Sequence, residues 1–420
     1  MRRVGARRRG ASVALALGLL CGTFGGPAAA QAAPEISLLT FAPGEIYWQR
    51  FGHNAILVRD AARGAARVYN YGIFDFQQKN FFVNFARGRM LYRLDEAPLD
   101  WTLRLYAAEG RWAVEQQLAL SAAQRRSLAE FLAWNARPEN AEYRYDYFVA
   151  NCSTKARDAL DRGLDGQLRA ALEPRPGTTT FRSEVLRLMR PEPLLMLGMD
   201  LGLGPRVDQP LSQWQEGFIP MRLMEALRDV QVDDGSGGLR PLVSAERQLL
   251  PARLPETPAQ PRVLGWPSLL AGLGLAALFA VTSRVRRLGA VLAGSYVLLC
   301  GLAGAVLLLG WLATDHWGMA ANRNLLLLNP LWWALLPAMW RRAAAPGKAA
   351  RGCAGLLAGL IVAAIPLAAF GLQPNGHWVA LFAPGQLLLL APILFRRARA
   401  QVLYDGSSRS SRRSRPGQAS

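Results

Sequence analysis

A cysteine and a histidine mark the part of this chain whose residue types are suited to covalent chemistry. Between the N-terminal leader and the first long apolar segment there is one cysteine, Cys152, in the run NCST, and one histidine, His53, in the run FGHN. A thiol is a weak nucleophile until a nearby base, a cation or a helix N-terminus favours its thiolate. The pair therefore predicts a thiol nucleophile with an imidazole as general base, provided that the fold brings the two residues together.

The elements that must position this pair are predicted from apolar spacing. Short apolar runs bounded by turn residues predict antiparallel strands at 36–41, 53–58 and 67–72, with His53 at the start of the middle strand. Downstream of Cys152 the apolar residues have helical spacing, so we expect this cysteine at a helix N-terminus, where the macrodipole favours a thiolate and can receive an oxyanion. The residues that set this spacing are Ala156, Ala159, Leu160 and Leu164.

The cysteine count leaves Cys152 without a disulfide partner in its own domain. The chain has four cysteines; Cys21 lies in the leader, and Cys300 and Cys353 lie in apolar segments far downstream. One cysteine and one histidine also fall short of a metal-ligand set, so we expect no metal and no cofactor. The plain alternative is that Cys152 is a small buried core residue of a non-enzymatic membrane scaffold.

The N-terminal end reads as an export signal. A basic start, an apolar stretch and small residues suited to signal peptidase predict a signal peptide at 1–30. The exported domain is expected at 34–250, which is long enough for one hydrophobic core. A proline-rich linker is expected at 251–263.

The downstream part of the chain is strongly apolar. A membrane helix needs about 20 apolar residues, and about five such segments predict an all-α membrane domain at 264–397, followed by a basic tail at 398–420. The segments are roughly 264–282, 288–312, 325–340, 353–371 and 377–395.

The placement of arginines predicts the orientation of this membrane domain. They cluster in alternate connections, after the first, third and fifth apolar segments, and these connections are cytoplasmic by the positive-inside rule. We expect a multi-pass protein of a bacterial inner membrane, with the exported domain in the periplasm and the C-terminus in the cytoplasm. Most of the net charge of +19 lies in the leader, these connections and the tail. The positive charge is thus explained by the orientation of the chain in the membrane and by contact with lipid headgroups. It does not indicate a nucleic-acid partner, and we expect none.

Longer motifs carry a family resemblance. The runs lie at 39–48, 50–55, 69–76, 85–92 and 145–154 in the exported domain, and at 315–317 and 322–330 in the membrane domain. Together these runs resemble the bacterial lyso-form lipoprotein N-acyltransferases of the Lnb type, and the order of histidine before cysteine resembles circularly permuted papain-like enzymes. The resemblance implies an α+β, circularly permuted papain-like thiol-enzyme domain followed by the membrane helices.

The resemblance also implies a reaction. Cys152 would take an acyl chain from an ester of a diacylglyceryl lipoprotein and pass it, through a thioester, to the amine of that lipoprotein's N-terminal cysteine. His53 would act first as base and then as acid, and a third residue would orient it. Asn70 and Asp75 both remain open for that third role. The membrane lipids and lipoproteins that serve as partners would meet residues in the same motifs: Asn151, Tyr147, Arg87, Arg89, Asp315, His316 and Asn324.

A second enzymatic interpretation uses the same pair of residues. A papain-like thiol hydrolase, acting as a peptidoglycan amidase or peptidase or as a lipid thioesterase, differs only in that water resolves the acyl-enzyme. A hydrolase of the cell wall needs only a membrane anchor. Five apolar segments with polar motifs on the outer side therefore favour a lipid substrate.

Overall fold

The computed structural model describes residues 32–234, 236–262, 264–340 and 346–395. The predicted signal peptide and basic tail lie outside these residues. The strands are β1 Glu35–Phe41, β2 His53–Asp60, β3 Ala65–Ile73, β4 Leu91–Pro98, β5 Ala113–Leu118, β6 Glu142–Arg144, β7 Gln231–Asp233, β8 Leu239–Pro241 and β9 Val243–Leu250. The helices before the membrane part are α1 Phe81–Ala86, α2 Leu99–Ala108, α3 Ala122–Asn135, α4 Pro138–Ala141, α5 Cys152–Gly163, α6 Gln167–Leu172, α7 Phe181–Leu188, α8 Pro193–Gly202, α9 Gln213–Glu216 and α10 Pro220–Leu227. The helices of the membrane part are α11 Gly265–Thr282, α12 Arg286–Leu312, α13 Leu336–Trp340, α14 Lys348–Ala369 and α15 Gly376–Phe395.

A seven-stranded antiparallel sheet forms the centre of the N-terminal domain. Its strand order is β6-β4-β3-β2-β1-β5-β9, and the three strands predicted from the sequence are its β1, β2 and β3. In the register of β2 and β3, Ile56 pairs with Tyr69 and Leu57 with Val68. This register brings the start of β2 beside the end of β3, so His53 lies near the segment that follows Tyr69.

Helix α5 packs its apolar side on one face of this sheet. Leu160 and Leu164 are fully buried in one apolar cluster with Ile56 of β2 and Tyr71 of β3. Alternate residues of a strand point to the same face of the sheet, so these strand residues form the surface on which α5 packs. On the other face, α2 packs against a second apolar cluster that contains Phe41 and other residues of β1–β3. Packing on the sheet therefore fixes the position and orientation of α5 and of its first residue, Cys152.

The membrane part differs from the prediction at one segment. Among the described residues, four helices (α11, α12, α14 and α15) are long and apolar enough to cross a membrane. The predicted third segment at 325–340 is not a single helix: it consists of 3-10 turns, including Pro330–Leu335, and the short α13. Proline has no N–H to donate and its ring crowds the preceding turn, so Pro330 interrupts the helix.

The broken segment nevertheless runs along a continuous helix. A Cβ placed on Gly304 of α12 would meet the backbone of Asn329, one on Gly301 would meet Trp333, and one on Gly294 would meet Trp340. The segment is thus antiparallel to α12, and glycines of α12 allow the close approach. Helix α15 lies beside α11 in parallel. In the described part of the chain, the broken segment and the four long apolar helices therefore pack together.

Side chains satisfy the backbone groups that the broken segment leaves free. The Leu327 carbonyl oxygen accepts hydrogen bonds from Gln386 Nε2 and Trp332 Nε1, both at 2.9 Å. Asn329 Nδ2 donates to the Leu325 carbonyl oxygen at 3.1 Å. Non-helical backbone is tolerated in an apolar environment only where such partners exist.

Candidate functional site

Cys152 is the first residue of α5, and Asn151 caps that helix. Asn151 Oδ1 accepts a hydrogen bond from the Thr154 backbone N–H at 2.9 Å, and Thr154 Oγ1 accepts one from the Asn151 backbone N–H at 2.8 Å. Asn151 Nδ2 also donates to the Phe218 carbonyl oxygen at 2.9 Å. This reciprocal capping fixes where the helix starts. Asn151 is buried and fully engaged, so its side chain positions Cys152 and is not free to contact substrate.

Gly72 on β3 brings the sheet into contact with Cys152. The register of β3 and β4 shifts between Asn70 and Ile73, and Gly72 has a φ of +90° within this irregularity. A Cβ placed on Gly72 would lie 3.3 Å from the Cβ of Cys152. Glycine is required here both by its backbone conformation and by the absence of a side chain. The sulfur-bearing residue is therefore seated directly against the end of β3.

A hydrogen bond joins the residues that follow the predicted nucleophile and base. Ser153 Oγ donates to Asn54 Oδ1 at 2.7 Å, and Asn54 Nδ2 donates to Thr40 Oγ1 at 2.8 Å. All three side chains are fully buried. Since Ser153 follows Cys152 and Asn54 follows His53, this buried chain of hydrogen bonds ties the start of α5 to the start of β2.

Asn70 orients the imidazole of His53. His53 Nε2 lies 3.2 Å from Asn70 Oδ1, while Asn70 Nδ2 donates to the Val68 carbonyl oxygen at 3.3 Å. Because the amide oxygen of Asn70 faces the ring, Nε2 carries the hydrogen and donates it, which leaves Nδ1 as the basic nitrogen. The ring also stacks on Phe41 and Tyr106, with centroid separations of 6.1 and 6.3 Å. The tautomer and the orientation of the base are thus both fixed.

The environment keeps His53 neutral. Burial lowers its pKa from the usual 6.5 to about 4, and the positive charge of Arg111 acts in the same direction, whereas the hydrogen bond that His53 donates to Asn70 raises it. Arg111 is itself only 4% exposed; its Nε donates to the Ala42 carbonyl oxygen at 2.5 Å. A neutral imidazole has a free nitrogen, so His53 can accept a proton at neutral pH, but desolvation weakens its basicity in the resting state.

The resting thiol of Cys152 is also neutral. Burial raises its pKa, although the side chain keeps some solvent access. The backbone N–H groups of Asn54, Ser153 and Cys152 itself, together with the charge of Arg111, lower the pKa but do not cancel the effect of burial. From the sequence we expected the helix N-terminus to favour a thiolate; in the folded protein desolvation outweighs it. The same N–H groups are placed to stabilise negative charge that develops during a reaction.

Asp75, the other candidate for orienting His53, has a different position. Its side chain is exposed, and Oδ1 accepts a hydrogen bond from the Gln77 backbone N–H at 2.8 Å. This is an Asx turn, which stabilises the chain reversal after β3. The structure therefore places Asn70, and not Asp75, beside the imidazole.

Arg87, Arg89 and Asp315 lie together where the N-terminal domain meets the end of α12. Asp315 accepts a hydrogen bond from Arg89 Nε at 2.9 Å and also pairs with Arg144, and its backbone N–H donates to the Arg87 carbonyl oxygen at 2.9 Å. The hydrogen bonds and charges of Arg144 and Arg89 lower the pKa of Asp315. Arg89 is thus already paired within the protein, whereas the side chain of Arg87 is exposed.

Tyr147 and His316 are neighbours at the same junction. Their rings stack with centroids 6.2 Å apart, and His316 Nε2 donates to the Phe85 carbonyl oxygen at 3.0 Å. Asn324 lies apart from them and is fully buried; its Nδ2 donates to the Leu201 carbonyl oxygen at 3.0 Å. Asn324 therefore joins α8 to the membrane part, and it is closed to substrate.

Sequence reasoning missed three groups that shape this region. Gly72 was assigned only to the end of a predicted strand and Arg111 to no pattern, so only their contacts with the site reveal what they do. Asp200 is fully buried and accepts hydrogen bonds from Arg182 Nη1 at 2.8 Å and from His377 Nε2 at 2.5 Å. The bond with His377 joins α8 to the start of α15. Residue spacing along the chain gives no sign that these two helices meet.

Comparisons with known proteins give two matches that follow one another along the chain. Residues 28–186 match the family model of the Lnb N-terminal periplasmic domain, and residues 256–373 match that of the Lnb transmembrane domain. The first match contains His53, Asn70 and Cys152. No curated protein and no solved structure gives a significant match.

Proposed function

Because the chain belongs to the Lnb family, with a periplasmic domain followed by a transmembrane domain, we propose that it is a membrane-bound thiol acyltransferase that modifies lipoproteins. The family matches themselves support lipoprotein processing by a membrane protein of the inner membrane. The observation that carries the finer proposal is the orientation of His53 by Asn70, at the sheet end against which Cys152 is seated. The substrate would be a diacylglyceryl lipoprotein whose N-terminal cysteine amine is free.

In the first step, Cys152 takes the acyl chain. His53 Nδ1 accepts the thiol proton as Sγ attacks an ester carbonyl of the diacylglyceryl group, and the backbone N–H groups of Asn54 and Ser153 stabilise the oxyanion. The ester C–O bond then breaks, and the imidazolium returns the proton to the departing glyceryl oxygen. The products of this step are a Cys152 thioester and a lipid with one free hydroxyl.

In the second step, the amine of the lipoprotein resolves the thioester. The nitrogen attacks the thioester carbonyl and loses a proton to His53, an amide C–N bond forms, and the C–S bond breaks. The sulfur leaves and recovers the proton from the imidazolium, which restores both neutral groups. The net reaction moves one acyl chain from oxygen to nitrogen and yields a lyso-form, N-acylated lipoprotein.

The arrangement of the membrane part supports an orientation with the C-terminus in the cytoplasm. The start of α15 bonds the N-terminal domain through His377 and Asp200, and the end of α12 meets it at Asp315. With the broken segment counted as a pass, an odd number of passes follows the periplasmic domain. A fluorescent protein that matures only in the cytoplasm, fused after Ser420, should fluoresce; a dark fusion with normal expression would reverse this topology.

Mass spectrometry of a reporter lipoprotein tests the reaction. The reporter is isolated from cells that lack other N-acylation enzymes and express the wild type, Cys152→Ala, His53→Ala or, as a matched cysteine control, Cys353→Ala. Cys353 lies in α14, away from the proposed site. We expect a lyso, N-acylated N-terminal peptide from the wild type and from Cys353→Ala only.

The other outcomes separate the alternatives. Loss of an acyl chain without its transfer to nitrogen, dependent on Cys152 and His53, would indicate a thiol hydrolase. An unmodified diacylglyceryl peptide in the presence of well-expressed wild type would contradict the acyltransferase. Equal product from wild type and Cys152→Ala would make Cys152 a structural residue.

A further inference from the structure

A band of exposed aromatic side chains covers the N-terminal domain around α1. We call this band the aromatic face; three of its members, Trp48, Phe76 and Phe82, are 43%, 50% and 72% exposed. Soluble protein surfaces expose large contiguous apolar patches only where they bind something. The aromatic face consists of the aromatic residues Tyr47, Trp48, Phe76, Phe82 and Phe85, together with the apolar Val83.

The aromatic face is continuous with the proposed catalytic site. Trp48 contacts Phe74 and Phe76 at ring-centroid distances of 6.4 and 6.0 Å, and Phe76 contacts Phe81 at 5.1 Å. Phe74 follows closely on Gly72, the residue that lies against Cys152. The aromatic face therefore packs on Phe74, two residues after the glycine that lies against Cys152.

Hydrogen bonds hold the aromatic face at the level where α12 ends. The Phe85 carbonyl oxygen accepts from His316 Nε2, and the Arg87 carbonyl oxygen accepts from the Asp315 backbone N–H. These partners follow directly after Leu312, the last residue of α12, which is 69% exposed. Helix α1 is thus anchored beside one end of a helix that is long and apolar enough to cross a membrane.

A second exposed apolar element is anchored in the same way. Leu194 of α8 is 84% exposed, and the carbonyl oxygens that end α8 accept hydrogen bonds from Asn322 Nδ2, at 2.8 Å for Leu201 and 2.9 Å for Gly202. Both elements are tied to loops between membrane passes.

We propose that the aromatic face inserts into the outer leaflet of the membrane and binds lipid acyl chains, so that the ester of a lipid still held in the bilayer reaches Cys152. The role of the aromatic face in presenting an ester to Cys152 rests on the proposed function. Its contact with the membrane does not depend on that function. Aromatic side chains are favoured at membrane interfaces, and the exposed cation of Arg87 at the end of α1 complements lipid phosphates. The membrane passes keep this face beside the bilayer permanently, which favours lipid over a diffusing protein partner.

Photo-crosslinking in the full-length protein tests the location. Benzoylphenylalanine replaces Phe82 in one sample and Leu239 in a matched control, in nanodiscs of phospholipid. Leu239 is 73% exposed and lies on β8. Its partner strand β7 hydrogen-bonds to Gln167, which follows the C-terminal end of α5, whereas Cys152 is at the N-terminal end. Leu239 is therefore remote from the proposed site. We expect lipid adducts when the crosslinker is at position 82 and no lipid adducts when it is at position 239.

Two results would overturn the proposal. One is an adduct yield at position 82 no higher than at 239; the other is crosslinking of position 82 to a second copy of the chain in place of lipid. A variant with Phe82→Ser and Phe85→Ser should lose N-acylation of a lipoprotein embedded in nanodiscs while Cys152 keeps its wild-type alkylation rate. If the wild type gives no N-acylated product at all, the proposed function fails, and the lipid adducts still decide the membrane contact.

Discussion

His53 Nε2 lies 3.2 Å from Asn70 Oδ1, and the opposite side of the Asn70 amide donates to the Val68 carbonyl oxygen. This relationship fixes which nitrogen of the imidazole is basic. It also joins two residues on neighbouring strands, and Asn70 lies two positions before Gly72, which abuts Cys152.

Loss of Asn70 should impair the base without removing it. Asn70→Ala frees the ring and its tautomer, and we expect the rate of N-acylation to fall by about 10²-fold, since positioned general bases contribute about 10²–10⁴-fold. The measurement is product formation by mass spectrometry with purified protein in nanodiscs. Asp75→Ala is the matched control and should retain the wild-type rate. The reverse ranking of the two variants would assign the orienting role to Asp75.

Activity should persist to low pH and then fall. His53 must be neutral to accept the thiol proton, and its pKa is lowered to about 4, so the acidic limb of the pH–rate profile should lie near pH 4. The same protonation charges a desolvated ring, so the stability contribution of neutral His53 is present above pH 6.5 and decreases as pH falls from 6.5 towards 4. Rates and unfolding temperatures measured across this range check both. An acidic limb near pH 6.5 would show that His53 is not desolvated.

The thiol should react slowly at neutral pH. Because burial raises the pKa of Cys152, alkylation by iodoacetamide should increase with pH up to and beyond the usual thiol range, without the acidic plateau of an imidazolium–thiolate pair. Mass spectrometry of the peptide that contains Cys152 measures this rate apart from Cys300 and Cys353. A pH-independent fast reaction below pH 7 would instead indicate a resting thiolate.

Gly72→Ala should damage the site more than the fold. Gly72 and Gly64 both have positive φ values, +90° and +61°, but only a Cβ at Gly72 meets Cys152, whereas one at Gly64 meets nothing within 4 Å. Alanine at either position should cost about 1–2 kcal/mol of stability from backbone strain. Only Gly72→Ala should also lose N-acylation activity. Equal activity of both variants would mean that Cys152 tolerates displacement from β3.

Arg111 should tune both reacting groups. Its charge lowers the pKa of His53 and that of Cys152, so Arg111→Met should raise both, moving the acidic limb of the rate profile and the alkylation curve to higher pH. Arg111→Lys retains the charge and should shift them less, and Arg104→Met, at an exposed position of α2, should not shift them. Unchanged profiles in a folded Arg111→Met protein would contradict this electrostatic role.

Local patterns in the sequence are sufficient to predict the main elements near the site, and they also predict Cys152 and His53 as a reacting pair. Short apolar runs bounded by turn residues predicted β1, β2 and β3, and helical spacing after Cys152 predicted α5, because both signals depend on residues that are near one another in sequence. Apolar length predicted the membrane part, and the motifs predicted the Lnb family, which the two family matches confirm.

How these parts interact depends on contacts between residues that are far apart in sequence. The orientation of His53 by Asn70, the capping role of Asn151 and the burial of Asn324 depend on hydrogen-bond partners from other elements, such as Phe218 and Leu201. The neutral state of Cys152 depends on desolvation by the whole fold, which outweighs the local effect of the helix N-terminus. The break in the third membrane segment likewise needs Gln386 and the glycines of α12. Local sequence sets what each residue can do, and distant packing sets the solvent and the partners that decide what it does.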